Sequence, residues 1–344
     1  MSNNEKINTN SVKLFVKKSV NSTRTGVEVI SANYKKNKHY FLPVLNGLIG
    51  DKFPENKSNL SIKMAFRQDG QDSKVDDILN WTDFTDKIDI YIFMHGLMDD
   101  ETTWFISGDK MGYGDLLSSQ LDITPLYVRY NTGLHISDNG KKLNNLVDDL
   151  FEKYKDKIKS LNFIGHSMGA LIVRSAMYYA NRNRKAWINS VNNVVLLGAP
   201  NEGTNFERFG HLTTIILKNI FSFHTKLIAK IIDERSSGIK DLRWGFIVED
   251  DWKNPDKASL IPKKTFVPPY KNVKYFIVAG TIANDSNSFI GTYFGDGLVT
   301  PGSAKGVGFE TANRNITFKI FSEKGHVKLV NDEDVYQFIL KSIS

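Results

Sequence analysis

The sequence predicts an α/β fold in which a mostly parallel sheet is covered by crossover helices, and three observations carry that expectation. From Ile88 onward, short apolar runs alternate with amphipathic or small-residue segments, the pattern of buried parallel strands separated by helices. One run leads directly into Gly165-His166-Ser167-Met168-Gly169 and then a helical stretch, a strand-turn-helix unit. No internal repeat, low-complexity tract or Pro- or Ser-rich linker interrupts the pattern, so nothing in the composition forces a domain cut.

Along the chain, the first eighty-odd residues carry alternating stretches, VKLFV and GVEVI, a basic loop at 35–39 and an acid-rich loop around Asp69 to Asp77. Residues 1–85 are therefore expected to be an N-terminal extension with extra strands packed on the core. The core is expected at 86–204 and 270–344, with strands at Ile88 to Met94, Pro125 to Arg129, Leu161 to Ile164, Asn193 to Leu197, Val273 to Ala279 and Ile316 to Phe321. Leu143, Leu146, Val147, Leu150, Phe151 and Tyr154 recur at three- and four-residue steps, which predicts a helix over Lys141 to Lys157 with one apolar face. Ala170 to Ala180 should also be helical. Residues 205–269 form a long insertion between two strands and are expected to be a helical cap.

Composition narrows the chemistry. At 344 residues the chain can bury a sizeable core, and 41% hydrophobic with 24% charged residues is ordinary globular usage. With no cysteine, disulfides, thiolate metal sites, iron–sulfur clusters and a cysteine nucleophile are all excluded. A net charge of +7 favours anionic surfaces without naming one. The cations are spread along the chain with no aromatic-interleaved cluster, so a nucleic-acid partner is not expected. No metal-binding or nucleotide-binding motif is complete, since Gly112-Tyr-Gly114 fails at its last position, and no cofactor or metal is expected. The N-terminus lacks the continuous apolar stretch of a secretory signal. The expectation is a cytoplasmic protein, or one exported by a route without a cleavable signal.

The pentapeptide around Ser167 carries the chemistry. A sharp strand-to-helix turn lifts a serine oxygen clear of the sheet and brings backbone close on both sides, so the residues two before and two after it must be small; both are Gly. The following helix aims its N-terminal amides at the reacting centre. A serine hydroxyl needs a base within reach and a third group to orient that base, and on a sheet with such an elbow the acid and the histidine follow the serine in that order. Of seven histidines only His211, His224 and His326 follow Ser167, and the first two lie in the cap insertion, which leaves His326, just beyond the last strand. The acid should follow the preceding strand, where Asp296 stands between two glycines. Asp285 and Glu323 are weaker alternatives in turns that read as exposed. Two donors must hold the oxyanion: the amide of Met168, and the amide of Leu97 in the His95-Gly96-Leu97 loop, with His95 bracing that loop.

These residues resemble the serine esterases and lipases of the α/β-hydrolase superfamily, especially bacterial lipase-like proteins related to the GPI inositol-deacylases. The resemblance extends over Asn46-Gly-Leu-Ile-Gly-Asp51, Arg129 through Gly140, Leu197-Gly-Ala-Pro-Asn-Glu-Gly203, Arg235 through Leu242 and Gly295-Asp-Gly-Leu-Val299, roughly from Asn46 to Phe338. It implies the α/β-hydrolase fold, an eight-stranded mostly parallel sheet with helices on both faces, and Ser167, Asp296 and His326 as catalytic residues. Two positions depart from the pattern. Pro200-Asn201-Glu202-Gly203 stands where relatives usually have Pro-His-x-Gly, and the elbow ends Gly169-Ala170 where many have Gly-Gly.

Within the insertion, His211 to Asp233 places Ile216, Ile220, Phe223, Leu227 and Ile231 near one stripe, with Lys218, Lys226 and Lys230 elsewhere. This segment reads equally as a lid that opens against anionic lipid, giving peripheral membrane contact, and as a cap helix packed on the core with its lysines solvated. The function expected is that of a serine ester hydrolase, a lipase or carboxylesterase, working on ester or lipid substrates through an acyl-enzyme. An acyltransferase using the same residues and a non-catalytic binding protein of the same fold are the alternatives.

Overall fold

The computed structural model describes residues 38–53, 58, 60–80, 83–105, 111–204, 235–253, 262–286, 288, 295–310 and 315–344. Eight strands form one sheet: β1 (Ala65–Gln68), β2 (Gln71–Ser73), β3 (Ile88–Met94), β4 (Ile123–Arg129), β5 (Ile158–His166), β6 (Val191–Leu197), β7 (Lys274–Thr281) and β8 (Ile316–Ser322). Their order across the sheet is β2-β1-β4-β3-β5-β6-β7-β8. The β1–β2 hairpin joins antiparallel to β4, and every other pairing is parallel. All six strands read from the core sequence are present, each within a few residues of its expected bounds.

Side chains alternate along the strands, so two cores form, one on each face. Ile90, Ile92, Leu161, Phe163, Val194 and Leu196 face one, covered by α1 (Lys38–Ile49), α3 (Ile136–Tyr154) and α4 (Met168–Arg182). Tyr91, Phe93, Ile164, Val195, Leu197 and Val278 face the other, covered by α2 (Tyr113–Gln120) and α9 (Glu333–Ile343). The remaining helices are short: α5 (Ser237–Trp244), α6 (Asp250–Lys253), α7 (Pro301–Lys305) and α8 (Val307–Glu310). The Tyr113 hydroxyl donates to the Asp332 carbonyl at 2.6 Å and accepts from the Asp332 amide at 2.8 Å, which ties the start of α9 to α2. Among the described residues no helix is long and apolar enough to cross a membrane.

Three expectations are corrected. The sequence predicts extra strands before residue 86, and β1 and β2 are strands of the sheet, but Lys38–Ile49 is a helix that includes Pro43, Asn46 and Gly47. Tertiary contacts override those breakers: Asn46 is buried, donating to the Leu60 carbonyl at 2.7 Å and accepting from the Ile62 amide at 3.0 Å. The acid-rich stretch is partly the β1–β2 hairpin, turning at Asp69-Gly70, where both residues have positive φ. Helix α3 starts at Ile136, five residues before the expected Lys141, because Ser137, Asn139 and Gly140 are polar or small and nonetheless buried. A Cβ at Gly140 would strike Ser175 of α4, so the two helices cross there in close contact. VKLFV, GVEVI and the insertion segment His211 to Asp233 lie outside the described residues.

Strand β5 is the spine of the sheet, and Phe163, wholly buried, packs its ring 5.9 Å from that of Trp187. Phe163→Ala is expected to lower the unfolding free energy by about 3–5 kcal/mol, from lost burial plus the cavity left behind. Urea denaturation followed by tryptophan fluorescence measures it, and a loss below about 1 kcal/mol would contradict this packing.

Candidate active site

Chain order places the site. From β3 the chain steps to β4 on one side of the sheet, while β5 lies on the other side of β3 and leads on through β6, β7 and β8. Ligands of open α/β sheets bind at such a reversal, beyond the carboxyl ends of the strands. The register pairs Met94 with Gly165, so the loop after β3 and the turn after β5 emerge side by side.

Ser167 sits on that turn with φ 52° and ψ −118°, a left-handed backbone rarely adopted by a residue with a side chain. The flanking glycines permit it. A Cβ at Gly165 would come 2.6 Å from Ala170 Cα, and one at Gly169 would strike the carbonyl oxygens of Met94 and His95. The Ser167 amide donates to the Leu197 carbonyl of β6 at 2.8 Å, and its hydroxyl makes no hydrogen bond among the described residues. The next amide, Met168, opens α4, so no earlier turn of the helix supplies it with an acceptor.

The loop after β3 is held by several polar ties. His95 is wholly buried, and that burial pushes its pKa down to about 4, so the ring is neutral. Its Nδ1 lies 2.9 Å from the Gly96 carbonyl, which can only accept, so Nδ1 carries the proton and Nε2 is a buried acceptor without a partner. The ring stacks on Tyr130 with centroids 4.2 Å apart, and the Tyr130 hydroxyl donates to the His95 carbonyl at 2.6 Å. The Met98 amide donates to Thr132 Oγ1 at 3.2 Å. Between these ties the Leu97 amide donates to nothing among the described residues. Gly96 sits against the elbow: a Cβ there would lie 3.4 Å from Ser167 Cβ and 3.1 Å from His166 Nδ1.

Asp296 and His326, thirty residues apart in sequence, meet directly. His326 Nδ1 lies 2.7 Å from Asp296 Oδ2, and the His326 amide donates to the Asp296 carbonyl at 3.0 Å. The other carboxylate oxygen accepts from the amides of Leu298 and Val299 at 2.9 and 2.8 Å, so this buried group is fully partnered. The carboxylate fixes the imidazole proton on Nδ1 and leaves Nε2 as the basic nitrogen. Asp285 and Glu323 are both exposed and stand in no comparable contact with His326, which separates them from Asp296.

His166, which sequence reasoning left without a role, joins the two halves. Its Nε2 donates to the His326 carbonyl at 3.1 Å and its ring lies 4.8 Å from the His326 ring. Burial, reinforced by His326 nearby, holds its pKa well below the usual value, so it stays neutral. His166, the residue before Ser167, is thus bonded to the His326 backbone, while no hydrogen bond joins hydroxyl and base among the described residues. Thr132 and Tyr130 also went unnoticed in the sequence; both lie in the stretch from Arg129 to Gly140, which carries no chemical signature of its own. Among the described residues no group of His, Asp and Glu is arranged to hold a metal.

The model of the PGAP1-like alpha/beta domain family matches residues 122–275, a segment that contains the elbow and stops short of Asp296 and His326. Among curated protein sequences, none matches this chain. Solved structures of similar shape include a lipase of Bacillus licheniformis, BlEst2 in mature form, 18% identical over 75% of this chain and 93% of that one, with a TM-score of 0.44. A phospholipase of Legionella pneumophila, PlaB, is 18% identical over 74% of this chain and 60% of its own, with a TM-score of 0.48. The carboxylesterase CesB of Bacillus subtilis is 12% identical over 76% and 85%, with a TM-score of 0.42. Those likenesses are too distant to decide anything beyond the shape, which rests on strand order and elbow. The chain has the α/β-hydrolase fold, and its residues 122–275 match the PGAP1-like alpha/beta domain family.

Proposed function

We propose that the protein is a serine ester hydrolase acting on lipid or other carboxylic esters. The observation that supports this most is the buried Asp296–His326 pair at 2.7 Å, set beside a serine on a strained turn.

In this reading Ser167 Oγ attacks the ester carbonyl carbon as its proton passes to His326 Nε2. Asp296 stabilises the imidazolium through the Nδ1 hydrogen bond without taking the proton itself. The amides of Leu97 and Met168 donate to the oxyanion; one such donor contributes about 3 kcal/mol to lowering the barrier. The tetrahedral intermediate collapses by breaking the bond to the alkoxy oxygen, which leaves as an alcohol carrying the proton from His326. Water then gives a proton to His326 and attacks the acyl-enzyme, and the carboxylic acid leaves as Ser167 regains its proton. Hydroxyl and imidazole come within bonding distance when substrate fills the site, since hydrogen bonds of this kind are commonly long in the unliganded state.

The insertion segment His211 to Asp233 lies outside the described residues, and its amphipathic pattern suits a lipid-facing lid and a packed cap helix equally. Hydrolysis of an insoluble ester with and without anionic vesicles tests the lid. A rate unchanged by vesicles removes the membrane contact and leaves the hydrolase.

Ser167→Ala should lower turnover of a short p-nitrophenyl ester on the order of 10⁶-fold, with the circular dichroism spectrum unchanged. A fluorophosphonate probe should label the wild type at Ser167. A protein that neither labels nor cleaves short esters, triglycerides or phospholipids would overturn the proposal, and ester product formed on added alcohol would reassign it as an acyltransferase.

Asp296→Asn keeps an oxygen for the Leu298 and Val299 amides but turns an amide group toward Nδ1, favouring the wrong imidazole tautomer. Turnover should fall about 10⁴-fold with little change in KM. A loss under tenfold would remove Asp296 from the mechanism.

A further inference from the structure

Beside the loop after β6, away from the Ser167 turn, a second concavity of about 90 Å³ opens between that loop, the segment 262–267 and α8. Its floor is Arg174, which lies on α4 seven residues past the serine, roughly 10 Å along the helix axis. Helical Arg residues usually reach into water, but this one is half-buried and its guanidinium is packed between protein groups. Nη1 donates to Asn201 Oδ1 at 2.7 Å, Nη2 donates to the Val267 carbonyl at 2.9 Å, and the group lies 4.9 Å from the centre of the Phe309 ring. Those bonds use two of the five N–H donors a guanidinium carries. Among the described residues no carboxylate pairs with it.

The charges at the rim cancel. Lys264 Nζ lies 2.7 Å from Glu202 Oε2, and the other Glu202 oxygen accepts from the Val307 amide at 3.0 Å. Glu202, already paired with Lys264, still raises the Arg174 pKa, but the protein packed around the guanidinium outweighs it and lowers that pKa to about 10 by desolvation, which leaves Arg174 charged near neutrality and the three groups with one net positive charge. A partly desolvated cation whose neighbouring carboxylate is already paired with a lysine is costly, and an anion reaching it recovers part of that cost. Glu202 at the rim opposes a doubly charged anion. Phe266 and Val307, 60% and 58% exposed, offer apolar surface at the mouth. Two of the residues that shape the pocket, Asn201 and Glu202, are the ones that depart from the usual Pro-His-x-Gly.

We propose that this pocket binds a small monocarboxylate, its planar head paired with the Arg174 fork and its apolar part resting on Phe266 and Val307. The fork matches a carboxylate in shape as well as charge. A volume near 90 Å³ leaves room for the carboxylate head and a few carbons.

Titration calorimetry of the full chain with propionate, propionamide and inorganic phosphate tests the site. Propionate should bind at one site with a millimolar Kd, at least tenfold tighter than its neutral isostere propionamide, and more tightly than phosphate. Arg174→Gln should weaken propionate at least tenfold. Val307→Asp, a change at an exposed position that leaves the fold undisturbed, should weaken it several-fold by adding negative charge at the mouth. Equal binding of propionate and propionamide, tighter binding of phosphate, or unchanged affinity in either variant would overturn the proposal; unchanged affinity in both would place the carboxylate elsewhere, such as the Leu97 and Met168 amides. Hydrolysis of a short ester by the same preparation reads the Ser167 mechanism separately, so either reading can fail without the other.

Discussion

Everything at the carboxyl edge of the sheet depends on how closely two backbones approach between β3 and β5. Gly169 lies against the carbonyls of Met94 and His95, and Gly96 lies against Ser167 and His166. No side chain fits at Gly169 and one at Gly96 would crowd His166, so the loop after β3 packs directly on the first turn of α4. That contact helps hold the serine in a backbone region that a free chain seldom visits. The strain is offset by parallel pairing on both sides of β5.

Around this contact three histidines divide the work through their environments. His95 and His166 are buried without a carboxylate and remain neutral, so each is a fixed hydrogen-bond donor that cannot compete for the proton. Only His326 has a carboxylate on one nitrogen, with the other left unpartnered. The same side chain thus serves as brace, clamp and candidate base according to what surrounds it.

Much of this was legible in the sequence because it depends on local pattern. Buried parallel strands are near-continuous apolar runs, so β3 to β8 could be read directly; the elbow announced itself through two glycines whose small size is a backbone requirement, and Asp296 and His326 followed from chain order and from the loops they occupy. What escaped depends on contacts between distant segments. Helix α1 carries Pro43, Asn46 and Gly47, and it persists through the burial of Phe41, Val44 and Leu48 and the bonds of Asn46 to Leu60 and Ile62. The first turn of α3 is polar and nonetheless buried against α4. His166 and Thr132 gain their roles from partners 160 and 34 residues away, and no spacing rule predicts either. Arg174 looks in sequence like any solvated helical cation, and its partial desolvation is visible only once Asn201, Val267 and Phe309 are seen around it.

The Tyr113 hydroxyl, bonded to both the amide and the carbonyl of Asp332, gives the last helix a meaning its position would not suggest. His326 hangs on a short stretch whose far end is moored by that phenol and by the burial of Val335 and Ile339. Removing helix α9 would therefore slacken the anchorage of the imidazole while leaving every residue of the candidate site in place.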